Sequence, residues 1–159
     1  VAVSYVPSNG TVVESTTSWN VQYSGVEGLT VGYGQDENGT GVGSTEVDSD
    51  AMFVTYAYGP VTVGYQKSED DAATSAASDE FSGYGISYAV SDDLSVSYVE
   101  TAYDLGDKTT DEETTAIGAS YTMGSMTLAA TFVDAQNTGG GTAALDDVKG
   151  YDFTLSFAF

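Results

Sequence analysis

A hairpin of fixed pattern recurs four times along the chain and limits the folds that the chain can adopt. Each copy has two stretches in which large apolar and small polar residues alternate, with a short turn between them and a longer polar segment after them. Its leading tyrosine recurs at intervals of 33, 32 and 33 residues, at Tyr23, Tyr56, Tyr88 and Tyr121. A period of two is typical of β-strands, and no stretch repeats every 3.6 residues as a helix would. The sequence predicts an all-β chain built from hairpins.

The same alternation extends to both ends of the chain and gives about ten strands, which we treat as one domain over residues 1–159. One face of each strand is apolar and aromatic, and the other is small and mostly polar. Tight turns alternate with long polar segments, as in outer-membrane barrels, which have short periplasmic turns and longer external loops. The pattern therefore favours a transmembrane, antiparallel, up-and-down β-barrel with its short turns periplasmic and its long acidic loops outward. A soluble β-sandwich with the apolar face turned inward is the alternative.

The composition excludes several classes of function. The chain has 24 acidic residues, three lysines, and no Arg, His or Cys, which gives a net charge of −21. Without His or Cys there can be no Ser-His-Asp or Cys-His catalytic system and no thiolate zinc site, so we do not expect an enzyme. Nucleic acid is not expected as a partner, because binding phosphates requires clustered basic residues.

The polar positions of the strands are the candidate lining of a pore, with Phe53 as the clearest exception to their small, polar character. We single out nine of them: Asn20, Gln22, Thr62, Gln66, Ser97, Ser120, Asp152, Thr154 and Ser156. The predicted long loops are residues 7–15, 35–50, 67–80, 104–113 and 136–149. Most acidic residues fall in or beside them, where an acidic mouth would concentrate cations. The same acids also fit solvated loops that take no part in transport. Glu100 shares the apolar parity of Tyr98, so we expect it to lie beyond the hydrocarbon.

Three acidic residues alternate like the start of a calcium-binding loop, namely Glu46, Asp48 and Asp50. However, Ala51 stands where such a loop needs glycine, and no glutamate follows at the twelfth position. We expect no cofactor beyond loosely bound divalent cations, with these three residues as their candidate ligands.

The last ten residues form an alternating strand that ends on an aromatic residue. Its large side chains are Tyr151, Phe153, Leu155, Phe157 and Phe159. With these side chains, the stretch resembles the closing strand of bacterial outer-membrane barrels, which in that family ends on Phe. The resemblance implies that these five residues act as the recognition signal for the outer-membrane assembly machinery.

The four hairpins together with Phe159 resemble the carboxyl-terminal part of a Gram-negative general porin of the alphaproteobacterial type. The resemblance implies a sixteen-stranded barrel that forms homotrimers among the lipid and lipopolysaccharide of the outer membrane. On this interpretation the first six strands are missing, and a complete ten-stranded barrel is the alternative. The expected function is passive diffusion of small hydrophilic solutes and ions with modest cation preference. A barrel without a channel that acts in surface adhesion, or a secreted acidic β-sandwich that binds a partner, would be the other interpretations.

Overall fold

The computed structural model describes residues 1–7, 16–38, 47–72, 78–140 and 147–158. It confirms the all-β prediction, with the following ten strands: β1 (Ala2–Val6), β2 (Thr16–Val26), β3 (Leu29–Asn38), β4 (Val47–Tyr58), β5 (Val61–Ala72), β6 (Asp79–Ala89), β7 (Leu94–Leu105), β8 (Glu112–Met123), β9 (Met126–Gln136) and β10 (Val148–Phe157). A single turn of 3-10 helix, Thr138–Gly140, precedes β10. No helix in the described part of the chain is long and apolar enough to cross a membrane.

The ten strands form one sheet in which the spatial order follows the chain order from β1 to β10. Each strand is antiparallel to its neighbours, which is the up-and-down topology that the alternating turns predicted. Three of the four tight turns contain a glycine with positive φ, at Gly28 (75°), Gly59 (56°) and Gly124 (62°). Residues with a Cβ rarely adopt this conformation, so glycine fixes the positions of these turns.

The strands extend further from the tight turns than the sequence predicted. Thirteen acidic residues assigned to the long loops, or to their edges, lie on strands instead: Asp36, Glu37, Asp48, Asp50, Glu69, Asp70, Asp71, Asp79, Glu80, Asp104, Glu112, Glu113 and Asp134. The antiparallel ladder continues because it satisfies backbone groups whatever side chains they carry. Lys67 also offsets cross-strand repulsion, since its Nζ lies 2.9 Å from Glu80 and 3.6 Å from Glu69.

The described residues contain no buried hydrophobic side chain. A soluble domain of comparable length removes more than half of its unfolded surface from water and so builds an apolar core. Here most of the large apolar side chains lie exposed on one face of a single sheet, and the described residues supply no second sheet to cover them. The fold is therefore that of a barrel wall and not of a β-sandwich.

Candidate pore wall and lipid-facing surface

The cross-strand register places the side chains on two faces of opposite character. On one face, large residues from five adjacent strands stand directly opposite one another in a continuous row: Ile86, Tyr98, Ile117, Phe132 and Tyr151. The rings of Phe132 and Tyr151 pack with their centroids 4.9 Å apart. Such opposing aromatic and branched side chains stabilise a sheet. We name this the aromatic face and the opposite side the polar face.

A row of polar residues ends the apolar part of the aromatic face. It lies next to the row of large residues, on the side away from the tight turns, and contains Tyr84, Glu100, Thr115, Asp134 and Lys149. Glu100 accepts a hydrogen bond of 2.7 Å from the Tyr98 hydroxyl, and Lys149 Nζ lies 2.6 Å from Asp134 Oδ2. Each of the three charged groups in this row therefore has a polar partner. This is the edge position that the sequence requires of Glu100.

All nine residues singled out as pore lining lie on the polar face. Asn20 stands opposite Gly34, and Gln22 stands opposite Gly32. Six of the other seven are opposite small polar or glycine neighbours in at least one adjacent strand, namely Thr62, Gln66, Ser97, Ser120, Asp152 and Ser156. The seventh, Thr154, stands opposite Ala129. The structure thus gathers residues from β2, β5, β7, β8 and β10 on one surface without large side chains over most of its area.

Five carboxylates of the strands lie on the polar face: Asp36, Asp70, Asp79, Glu112 and Asp152. Four of these carboxylates accept hydrogen bonds from uncharged donors. Asp36 Oδ1 accepts from Ser18 Oγ at 2.8 Å, Glu112 Oε2 from the Gly139 amide at 2.8 Å, and Asp152 Oδ1 from Thr154 Oγ1 at 3.0 Å.

Asp79 is held by two of these donors. Its Oδ2 accepts from the Tyr103 hydroxyl, and its Oδ1 accepts from the Gly106 amide, each at 3.1 Å. Neutral donors fix the position of a carboxylate but leave its negative charge in place. Sequence reasoning selected only Asp152 for this face, because it assigned the other four to loops. Extending the alternation of each strand by two to four residues would have found them.

None of the three lysines contributes to the polar face of the described strands. Lys67 and Lys149 lie on the aromatic face, where they pair with acids of neighbouring strands. Lys108 lies in the connection between β7 and β8 and bonds to the adjacent Asp107 at 2.9 Å. The polar face of the described strands therefore carries negative charge that no lysine of this chain neutralises.

A cavity of about 500 Å³ opens on the polar face over β4 to β7. The rings of Phe53 and Phe81 form part of its lining, and no charged residue lines it. The sequence identified Phe53 as an exception but missed Phe81, which has the same parity as Gly83. Phe53 and Phe81 thus place two aromatic rings in one cavity on this face.

The closing strand β10 presents four of its predicted signal residues on the aromatic face. Tyr151 and Phe153 are 75% and 72% exposed, and Leu155 and Phe157 are 53% and 55% exposed. Their neighbour in the signal, Phe159, lies outside the described residues.

The residues of the calcium hypothesis lie on or before β4. Asp48 and Asp50 occupy alternate positions there, opposite Asp71 and Glu69 of β5. Glu46 lies outside the described residues, and the part of the chain that the structure describes has no group of three or more His, Cys, Asp or Glu arranged to hold a metal ion. The calcium hypothesis stays a prediction.

An antiparallel meander with one aromatic face and one small, polar face is the wall of a transmembrane β-barrel. Residues 1–140 match the model of the Gram-negative porin family, and the chain belongs to that family. It is a protein of the Gram-negative outer membrane.

A solved structure with the same fold is the anion-selective porin from Comamonas acidovorans, with a TM-score of 0.68 at 16% sequence identity. The match covers 98% of this chain and 54% of that porin, so the chain spans about half of its length. No curated protein shows a significant match.

Proposed function

We propose that the chain forms the wall of a passive diffusion channel for small hydrophilic solutes and ions, with a modest preference for cations. Membership of the porin family supports the channel, and the geometry of the two faces supports its orientation. The aromatic face would contact lipid, where apolar residues are needed, and the polar face would contact water. The nine polar-face residues from Asn20 to Ser156 would then line the pore, within a single domain over residues 1–159.

The observation that carries the cation preference is the unbalanced charge of the polar face. Five carboxylates project from it, and every lysine of the chain lies elsewhere. In a pore narrow relative to the Debye length, which is about 8 Å at physiological salt, such charges lower the local potential. Cations are then concentrated and anions repelled.

The five carboxylates lie at two different depths along the proposed pore. Four of the five carboxylates lie towards the strand ends remote from the tight turns, which would be the external mouth. Asp152 lies deeper, opposite Thr131 of β9, in a row that continues to Gly118 and Ser97. Cations attracted by the four carboxylates at the mouth would then pass the Asp152 carboxylate on the wall.

The Comamonas porin is named for the opposite selectivity. At 16% identity the comparison supports the fold alone, and charge on a pore wall changes freely between porins of one fold. The proposed selectivity therefore rests on the carboxylates of this chain.

The test is the reversal potential of the purified protein in a planar bilayer under a gradient of potassium chloride. We expect stepwise conductance and a reversal potential displaced towards the Nernst potential of potassium. A displacement towards that of chloride would contradict the cation preference. The absence of any conductance would contradict the channel itself and favour a barrel with an adhesive role.

A closed pore requires that both edges of the sheet be paired. Among the described residues, β1 and β10 pair only with β2 and β9. We propose that further strands join the two edges and complete the sixteen-stranded barrel of a general porin. This keeps the strand number even. Closure of β1 directly on β10 would give a ten-stranded barrel with a much narrower lumen, so single-channel conductance distinguishes the two.

We also propose a homotrimer in contact with lipid and lipopolysaccharide. The long connections would face outward and the tight turns would face the periplasm.

The proposed signal for the assembly machinery, from Tyr151 to Phe159, is supported by the exposed aromatic side chains on the edge strand β10. Replacing Phe157 with Asp should lower the amount of heat-stable protein in the outer membrane. Replacing Asp152 with Asn on the same strand is the matched control.

A further inference from the structure

We propose that the cavity between Phe53 and Phe81, which we name the Phe53–Phe81 cavity, binds neutral, hydroxyl-rich solutes such as short oligosaccharides. This inference rests on the proposed channel and specifies a class of solute that the channel would retain during passage. It is carried by the combination of two aromatic rings, a bare backbone floor and unpaired polar groups in one concave space.

Gln66 of β5 lies on the strand between those that carry Phe53 (β4) and Phe81 (β6). Phe53 stands opposite both Gly32 and Gln66, and its ring covers Gly32 so closely that a methyl group there would collide with it. Gln66 stands opposite Gly83 on its other side. The ring of Phe81 reaches towards Gly83, where its Cζ would lie 3.4 Å from an added Cβ. The two rings and the Gln66 amide thus line the same cavity.

Glycines form the floor of the cavity. Gly64 of β5 and Gly85 of β6 stand directly opposite one another, and Gly83 follows two residues away. With no side chains at these positions, the cavity reaches the backbone of both strands. Its volume of about 500 Å³ lies within the range of small-molecule sites, which runs from about 300 to 1,000 Å³.

The polar groups around the rings are uncharged donors and acceptors. They are the amide of Gln66 and the hydroxyls of Thr55, Thr62, Ser87, Ser97 and Thr101. Within the described part of the chain, the Gln66 amide and the Thr101 hydroxyl have no side-chain hydrogen bond to another residue. They are therefore free to exchange water for the groups of a solute.

This chemistry matches a sugar better than an ion or a purely apolar molecule. The face of an aromatic ring is electron-rich and attracts the weakly positive C–H groups on the flat side of a pyranose ring. The hydroxyls at the edge of the sugar can then reach the amide and hydroxyl groups of the wall. The lining has no charge that would favour an ionic solute. A wholly apolar solute would leave these polar groups without partners, which costs binding energy.

The test is titration of the open channel, formed by the purified full chain in a planar bilayer, with maltotriose. We expect a reversible and saturable decrease in conductance. In the double variant Phe53→Ala and Phe81→Ala, the apparent dissociation constant should rise at least tenfold, which is about 1.4 kcal/mol. The matched control, Thr127→Ala, lies on the polar face outside the cavity and should leave the titration unchanged.

A second variant keeps the test decisive if the double alanine variant gives no channels. Phe53→Leu with Phe81→Leu retains apolar volume but removes both aromatic faces, and it should lose affinity to a similar extent. Open native channels with no saturable response to maltotriose would overturn this inference and leave the proposed channel intact. Saturable block by indole but not by maltotriose would overturn the assignment to sugars. A failure to open any channel would instead count against the proposed function.

Discussion

Two adjacent alanines on β9 allow the assignment of the two faces to be measured as a free energy. Ala130 lies on the aromatic face, opposite Ala119 and Phe153, whereas Ala129 lies on the polar face, opposite Ser120 and Thr154. Replacing either residue with Lys adds the same side chain to the same strand. Only the surroundings of the new charge differ between the two variants.

The position of Ala130 sets the expected magnitude. On the aromatic face of β9, Met126 at the tight turn and Asp134 in the polar row are eight residue steps apart. At about 3.4 Å per residue this is roughly 27 Å along the strand, or about 20 Å along the membrane normal for a tilt of about 40°. Ala130 is the midpoint, where a lipid-facing Lys costs about 2 to 4 kcal/mol. This lowers the folding equilibrium constant by about 30- to 900-fold.

Urea unfolding in phospholipid vesicles is the appropriate assay, with the fluorescence of the single tryptophan, Trp19, as the signal. Trp19 of β2 packs against Tyr33 of β3, with the ring centroids 5.4 Å apart. Both strands are remote from β9 in the sheet. We expect Ala129→Lys to change the free energy of unfolding by less than about 0.5 kcal/mol, as a solvated surface substitution does. Equal destabilisation by both variants, or a larger effect at Ala129, would refute the assignment of the faces.

Three further predictions concern the pore, a turn and the polar row. Asp152→Asn should reduce the cation preference in reversal-potential measurements, while Asp134→Asn on the aromatic face should leave it unchanged. Gly28→Ala should lower the free energy of unfolding by about 1 to 3 kcal/mol, because the positive φ is strained for alanine and its Cβ would collide with a backbone carbonyl. Gly59→Ala, with positive φ but open space around it, should cost less. Tyr98→Phe should lower the free energy of unfolding in the same assay, because it removes one of the two tyrosine hydroxyls that donate to the Glu100 carboxylate.

Each of these predictions has an opposing result. The selectivity argument fails if the variants at Asp152 and Asp134 behave alike. The turn argument fails if Gly59→Ala is the more destabilising of the two glycine variants. For Tyr98, unchanged stability would show that its hydroxyl contributes nothing to holding the Glu100 carboxylate.

The strands and their two faces could be predicted from the sequence because a period of two is a local signal. It identified each of the ten strands in the described ranges, and it placed Gln66 and Ser120 on the same face although they are 54 residues apart in the chain. The loop boundaries were wrong because acidic residues were taken as a sign of loop. A β-ladder depends on backbone pairing, so β5 continues through Glu69, Asp70 and Asp71.

The details of the site could not be predicted, because they depend on register between strands. The contact of Lys67 with Glu80 joins β5 to β6, and neither sequence neighbourhood indicates it. The Phe53–Phe81 cavity likewise requires Gly64 to stand opposite Gly85. The sequence did contain the parity of Phe81, which is that of Gly83.

The central claim is that the polar face is wet and the aromatic face contacts lipid, and cysteine accessibility along β9 tests it most directly. The chain contains no cysteine, so each introduced thiol is unique. Single cysteines at residues 128 to 131 would be exposed to a charged, membrane-impermeant thiosulfonate while the channel conducts. We predict that the reagent changes the conductance for Ala129→Cys and Thr131→Cys but not for Leu128→Cys and Ala130→Cys. Equal modification at all four positions, or modification of the second pair alone, would contradict the account.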